Sequence, residues 1–268
     1  IRDNLVNSNK TNRCDGIEVN VNRATNYAGE DAFIDNVAGS SDVPVTFTAD
    51  ILNNSVLNLG GSADGVDINV GNNTILYINV KENTVVDVGD EGLTLDTFGP
   101  KVQVKGVFSD NYFSTTGAKG ARKDKDGNLD EDGSTDGMSF TLSELIDGTT
   151  VKNDKVDLDF DLIIKNNTFI ADTQDLAGTN EKPNKAEGIK ITAGEGLDSD
   201  IVGDIKLNAS ILNNSVKTRA GPGFKIALLE KCKNINLTSE ISILDNNFEK
   251  YNNDNEAGEL YTTLKDIG

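Results

Sequence analysis

The 268-residue chain contains no histidine and no tryptophan. Without histidine, neither a Ser-His-Asp nor a Cys-His nucleophile system can be assembled, and most zinc sites lose their usual ligand. The only cysteines are Cys14 and Cys232. They provide no disulfide framework and no Cys-x-x-Cys motif. No apolar run approaches the roughly 18 residues of a membrane span, and nothing at the start reads as a secretory signal. Positive charge is scarce: 25 Lys and Arg face 44 Asp and Glu, for a net charge of −19 and a pI near 4.3. Such a chain repels nucleic acid and anionic lipid, so both are excluded as partners and membrane insertion is not expected. Abundant Asn, Asp, Gly and Thr with little Cys is the composition expected of an extracellular or cell-surface bacterial protein.

What is present is repetition. The hexapeptide ILNNSV occurs at Ile51–Val56 and again at Ile211–Val216. Relatives begin at Ile1 (IRDNLV), Val80 (VKENTV), Phe108 (FSDNYF), Ile164 (IKNNTF) and Ile243 (ILDNNF). Each has an apolar first position, Asn at the fourth and an apolar sixth. The shared asparagines are Asn4, Asn54, Asn83, Asn111, Asn167, Asn214 and Asn246, spaced by 50, 29, 28, 56, 47 and 32 residues. The shortest spacings set the unit and the longer ones contain insertions.

Upstream of these corners, from the second to the seventh, lies an alternating stretch, as in VTFTADI, ILYINV and LDFDLII. Downstream come a polar loop, a glycine and a second alternating stretch: GIEVNV, GVDINV, GLTLDT, GMSFTL, GIKITA, GFKIAL and GELYTTL. Period two marks strands. A unit this small cannot bury its own apolar face, so it must stack on its neighbours. The expected fold is all-β, a parallel β-helix of about seven coils with a core roughly 30–35 Å long. The first motif positions (Ile1, Ile51, Val80, Phe108, Ile164, Ile211, Ile243) and the sixth (Val6, Val56, Val85, Phe113, Phe169, Val216, Phe248) are expected to stack inward. The shared asparagines are expected to form a hydrogen-bonded ladder at a tight turn. On this alignment Cys14 and Cys232 lie about five coils apart, beyond bridging distance.

Taken together, Gly-strand, turn, long strand and Asn corner resemble the right-handed parallel β-helix repeats of the pectate-lyase-like superfamily. They are most similar to those of bacterial surface proteins and autotransporter passengers. Right-handedness is what the resemblance implies. That superfamily includes lyases, hydrolases, phage tailspikes and adhesive passengers, so the resemblance speaks to fold more than to function. The chain starts at a corner and stops after a Gly-strand. The expectation is a single β-helix domain, 1–268, cut from a longer array, with neighbouring repeats or end-to-end copies as partners.

Insertions fall at 24–43, 114–137 and 172–188. The second contains DKDGNLDEDG, with Asp124, Asp126, Asn128, Asp130 and Asp132 at alternate positions. Hard oxygens on a Gly-containing loop suit calcium. The pattern departs from an EF-hand, because its glycine is not sixth and Thr135 stands where the twelfth-position Glu belongs. On the outward face of the Gly-strands one column reads Glu18, Asp67, Thr94, Ser139, Lys190, Lys225. The next reads Asn20, Asn69, Asp96, Thr141, Thr192, Ala227. Glu18, Asp67 and Asp96 form a candidate acidic cluster able to share a proton or hold a metal. The function expected is a non-enzymatic structural or adhesive module of a bacterial surface protein or filament. The alternatives are a polysaccharide-active β-helix enzyme or glycan-binding domain using that acidic face, and third a phage tailspike.

Overall fold

The computed structural model describes residues 1–7, 15–21, 44–59, 63–99, 101–115, 136–144, 156–171, 187–193, 202–218, 222–228, 234–250 and 260–264. Among these residues there is no helix, and every strand pairs in parallel. The strands form three sheets, each ordered along the chain.

The long-strand sheet contains Val45–Leu52, Thr74–Lys81, Lys101–Ser109, Val156–Lys165, Val202–Leu212 and Asn234–Leu244. The corner sheet contains Leu5–Asn7, Ser55–Leu57, Thr84–Val88, Tyr112–Thr115, Thr168–Ala171, Ser215–Thr218 and Asn247–Lys250. The glycine sheet contains Ile17–Val21, Val66–Val70, Leu93–Phe98, Met138–Glu144, Ile189–Ala193, Phe224–Leu228 and Leu260–Leu264. The fold is a parallel β-helix whose seven coils are numbered here by their corners.

Alternation decides what each strand buries. In Val156–Lys165, Leu158, Phe160, Leu162 and Ile164 are buried while Asp157 and Asp161 are exposed. The motif positions stack as expected: Ile51 pairs with Val80, Val80 with Phe108, Phe108 with Ile164 and Ile164 with Ile211. All five are fully buried. Phe113 stacks on Phe169 with ring centroids 5.5 Å apart, and Phe108 meets Phe140 edge-on at 5.0 Å. The inward rows lose cover at the ends of the stack, where among the described residues no further coil lies against them: Ile1, Val45 and Phe47 stay exposed and Val6 half-buried at one end, and Ile243 and Phe248 are only half-buried at the other.

The corners are built by two adjacent rows. In every coil the residue before the shared asparagine has a positive φ: Asp3, Asn53, Glu82, Asp110, Asn166, Asn213 and Asp245, all between 51° and 58°. Asp and Asn tolerate this left-handed conformation better than other non-glycine residues. That turn points the following asparagine inward. Its backbone N–H and its Nδ2 both donate to Oδ1 of the next coil's asparagine, for example Asn83 to Asn111 at 2.9 and 3.0 Å and Asn111 to Asn167 at 3.0 and 2.9 Å. The remaining Nδ2 hydrogen bonds back to the previous coil, Asn83 to the Ile51 carbonyl at 2.8 Å and Asn111 to that of Val80 at 2.9 Å. The ladder runs unbroken from Asn4 to Asn246.

Candidate functional site

The two outward columns of the glycine sheet have the register read from the sequence. Glu18 pairs with Asp67, Asp67 with Thr94, Thr94 with Ser139, Ser139 with Lys190 and Lys190 with Lys225. Asp96 stands in the neighbouring column opposite Asn69, so it is diagonal to Asp67 instead of in line with it. Asn20 Nδ2 donates to Glu18 at 2.5 Å and Asn69 Nδ2 to Asp67 at 2.6 Å, so each carboxylate is tied to an amide two residues along its own strand. Asp124, Asp126, Asn128, Asp130 and Asp132, the ligands expected for calcium, lie outside the described residues, as do both cysteines and all of 24–43.

The densest ionisable feature is a different row. The residue immediately before each strand-leading glycine is acidic in the first five coils: Asp15, Asp64, Glu91, Asp136 and Glu187. Backbone bonds from each glycine to the next coil stack them in one file: Gly16 to Asp64, Gly65 to Glu91, Gly92 to Asp136 and Gly137 to Glu187, at 2.9–3.0 Å. The side chains lean toward the following coil. Asp15 Oδ1 accepts the Asp64 N–H at 2.9 Å, Asp64 Oδ1 that of Glu91 at 3.1 Å, and Asp136 Oδ1 that of Glu187 at 2.8 Å.

No family model, curated protein or solved structure matches this chain. The chemistry of the row therefore rests on its own geometry.

What meets the second oxygen of each acid depends on the outward residue one coil on. Thr94 Oγ1 donates to Asp64 Oδ2 at 3.0 Å. Lys190 Nζ approaches Asp136 Oδ2 at 3.9 Å, and Lys225 Nζ bonds Glu187 Oε1 at 3.1 Å. The row thus carries lysines at its later rungs and a hydroxyl at an earlier one. There Asp64, Asp90 and Glu91 bring carboxylate oxygens within 4.8 Å of one another, close enough to share protons or one cation. Burial is the largest influence on both Asp64 and Glu91 and raises both well above the ordinary carboxylate range. The charge of Asp90 comes next for Asp64, and that of Asp64 for Glu91; Asp15, Asp67 and Asp136 add to the repulsion.

Unfolded, these groups titrate near 3.8 and 4.5. Folded, they hold their protons to higher pH, so the native state binds more protons above that range and stability falls as pH rises. The melting temperature is expected to drop between pH 5 and pH 8 in chelator-containing buffer. Asp64→Asn with Glu91→Gln is expected to flatten that slope. A wild-type melting temperature that climbs over the same interval contradicts this assignment.

The sequence reading recognised the glycines and the outward columns but passed over the acid in front of each glycine. The signal was there as Asp-Gly, Asp-Gly, Glu-Gly, Asp-Gly and Glu-Gly in successive units, ending at Pro222-Gly223.

Proposed function

We propose that this chain is a non-catalytic structural or adhesive β-helix module of a bacterial cell-surface protein or filament, allied to the pectate-lyase-like β-helices. The observation that carries the reading is the asparagine ladder. Seven coils each devote an asparagine side chain to axial hydrogen bonding, buried in the five from Asn54 to Asn214, and this stiffens the rod. Loops at 24–43, 114–137 and 172–188 are the contact surfaces of such a spacer, and Asp124–Asp132 is a calcium loop within one of them. Partners are neighbouring repeats, further copies end to end, and surface glycans.

The alternative is a polysaccharide-active enzyme or glycan-binding domain, which the Glu18–Asp67 adjacency favours, since a carboxylate pair on adjacent coils suits glycosidic chemistry. Incubation with acidic and neutral polysaccharides separates the two. The structural reading expects no new reducing ends and no unsaturated uronates, and it expects straight rods in electron micrographs. Turnover abolished by Glu18→Gln or Asp67→Asn would replace it with the enzyme.

A further inference from the structure

We propose that Lys190 and Asp136 condense to an intramolecular amide, a covalent staple between the fifth coil and the fourth.

The geometry singles out this pair. Asp136 is completely buried, its Oδ1 is taken by the Glu187 N–H, and its Oδ2 accepts no hydrogen bond. Lys190 stands one coil on, opposite Ser139, with Nζ 3.9 Å from that oxygen. The equivalent contacts on neighbouring coils are completed hydrogen bonds, Thr94 to Asp64 at 3.0 Å and Lys225 to Glu187 at 3.1 Å. Rotation of the lysine arm must carry Nζ from its place 3.9 Å from Oδ2 to attack distance on Cγ, about 3–3.5 Å.

The surroundings supply the rest of the chemistry. An amine condenses with the protonated acid far more readily than with a carboxylate, because water is the better leaving group. Burial, then the charge of Glu187, keep Asp136 protonated well above the ordinary carboxylate range, against the pull of Lys190. The Glu187 side chain, anchored by Lys225 on a residue whose backbone N–H holds Asp136 Oδ1, is placed to carry protons. In the reaction the neutral Lys190 amine attacks Cγ of the protonated acid and gives up one hydrogen. The Nζ–Cγ bond forms, one Cγ–O bond breaks, and that oxygen leaves as water, with Glu187 moving the proton from nitrogen to the departing oxygen. No oxidant or reductant is consumed. The product replaces a buried acid and an amine by a neutral amide and a water.

Intact-mass spectrometry of the purified chain decides the matter. The expected mass lies below the sequence mass by one water, about 18 Da. Because Asp136 precedes Gly137, a succinimide there would lose the same mass. Peptide mapping must therefore show a branched peptide joining the segments that contain Asp136 and Lys190. Lys190→Arg is expected to restore the full mass with an unchanged far-UV circular dichroism spectrum, and Glu187→Gln to slow formation of the branched peptide. A wild-type chain at full mass after prolonged incubation overturns the proposal whatever the variants do. So does a water loss that persists in Lys190→Arg. A Glu187→Gln chain that links as fast as wild type removes Glu187 from the reaction.

Discussion

Asn111→Ala is expected to lower folding stability by about 3–5 kcal/mol, whereas Asn4→Ala costs about 1 kcal/mol or less. The difference lies in what each truncation leaves behind. At Asn111 the lost Oδ1 is the acceptor for both the backbone N–H and the Nδ2 of Asn83, and the lost Nδ2 is a donor to Val80 and to Asn167. Asn83 and Asn111 are 1 % and 2 % exposed, so water cannot take over. A buried donor without an acceptor pays its full desolvation cost. Asn4 is exposed at the first coil, where solvent reaches the groups it would abandon. Urea titrations followed by far-UV circular dichroism measure both variants. Equal losses at the two positions would mean that the ladder is decoration on a stack held by its apolar rows alone.

Gly65→Ala is expected to be as damaging, at about 3 kcal/mol or more, although it adds a single methyl group. A Cβ built there lies 2.2 Å from Val85 Cγ1 and 2.5 Å from the carbonyl oxygen of Gly92. The valine could turn away at some cost in packing. The carbonyl cannot, because it accepts the Val66 N–H at 3.1 Å and fixes the spacing between coils. Relief therefore requires the second and third coils to separate where the glycine sheet begins. An outward substitution on an exposed position of the long-strand sheet, such as Thr238→Ala, is expected to stay within about 0.5 kcal/mol. If Gly65→Ala melts with the wild type, the coils are not packed at the distance described.

Much of this was legible in the residues. Alternation fixes which side chains face inward, and a corner motif with a constant internal spacing fixes register. Asn54, Asn83 and Asn111 therefore come together although the loops between them differ in length. The register of Glu18, Asp67, Thr94 and Ser139 followed from the same counting. Chemistry that depends on depth was not legible. Asp136 looks like any loop acid before a glycine, and only the stacked coils reveal that it is sealed from solvent with Lys190 beside it. The exposure of Phe47, at 40 %, was also hidden, because alternation says which way a side chain points and not whether another coil lies against it. The left-handed row from Asp3 to Asp245 is legible only in hindsight: Glu82 sits in it among Asp and Asn residues, which blurs the pattern.

The central claim is that matched residues rise along one axis, one coil at a time. Pulsed electron–electron resonance between spin labels on the outward row of the long-strand sheet tests it most directly. Thr48 pairs with Tyr77, Tyr77 with Lys105, Lys105 with Asp161, Asp161 with Asn208 and Asn208 with Glu240. With Cys14 and Cys232 replaced by serine, labels at Thr48 and Asn208 are expected about 19 Å apart, and labels at Thr48 and Glu240 about 24 Å, a step of about 5 Å per coil. Distances that grow in that sequence confirm the stack. A Thr48–Glu240 separation equal to or shorter than Thr48–Asn208 contradicts it.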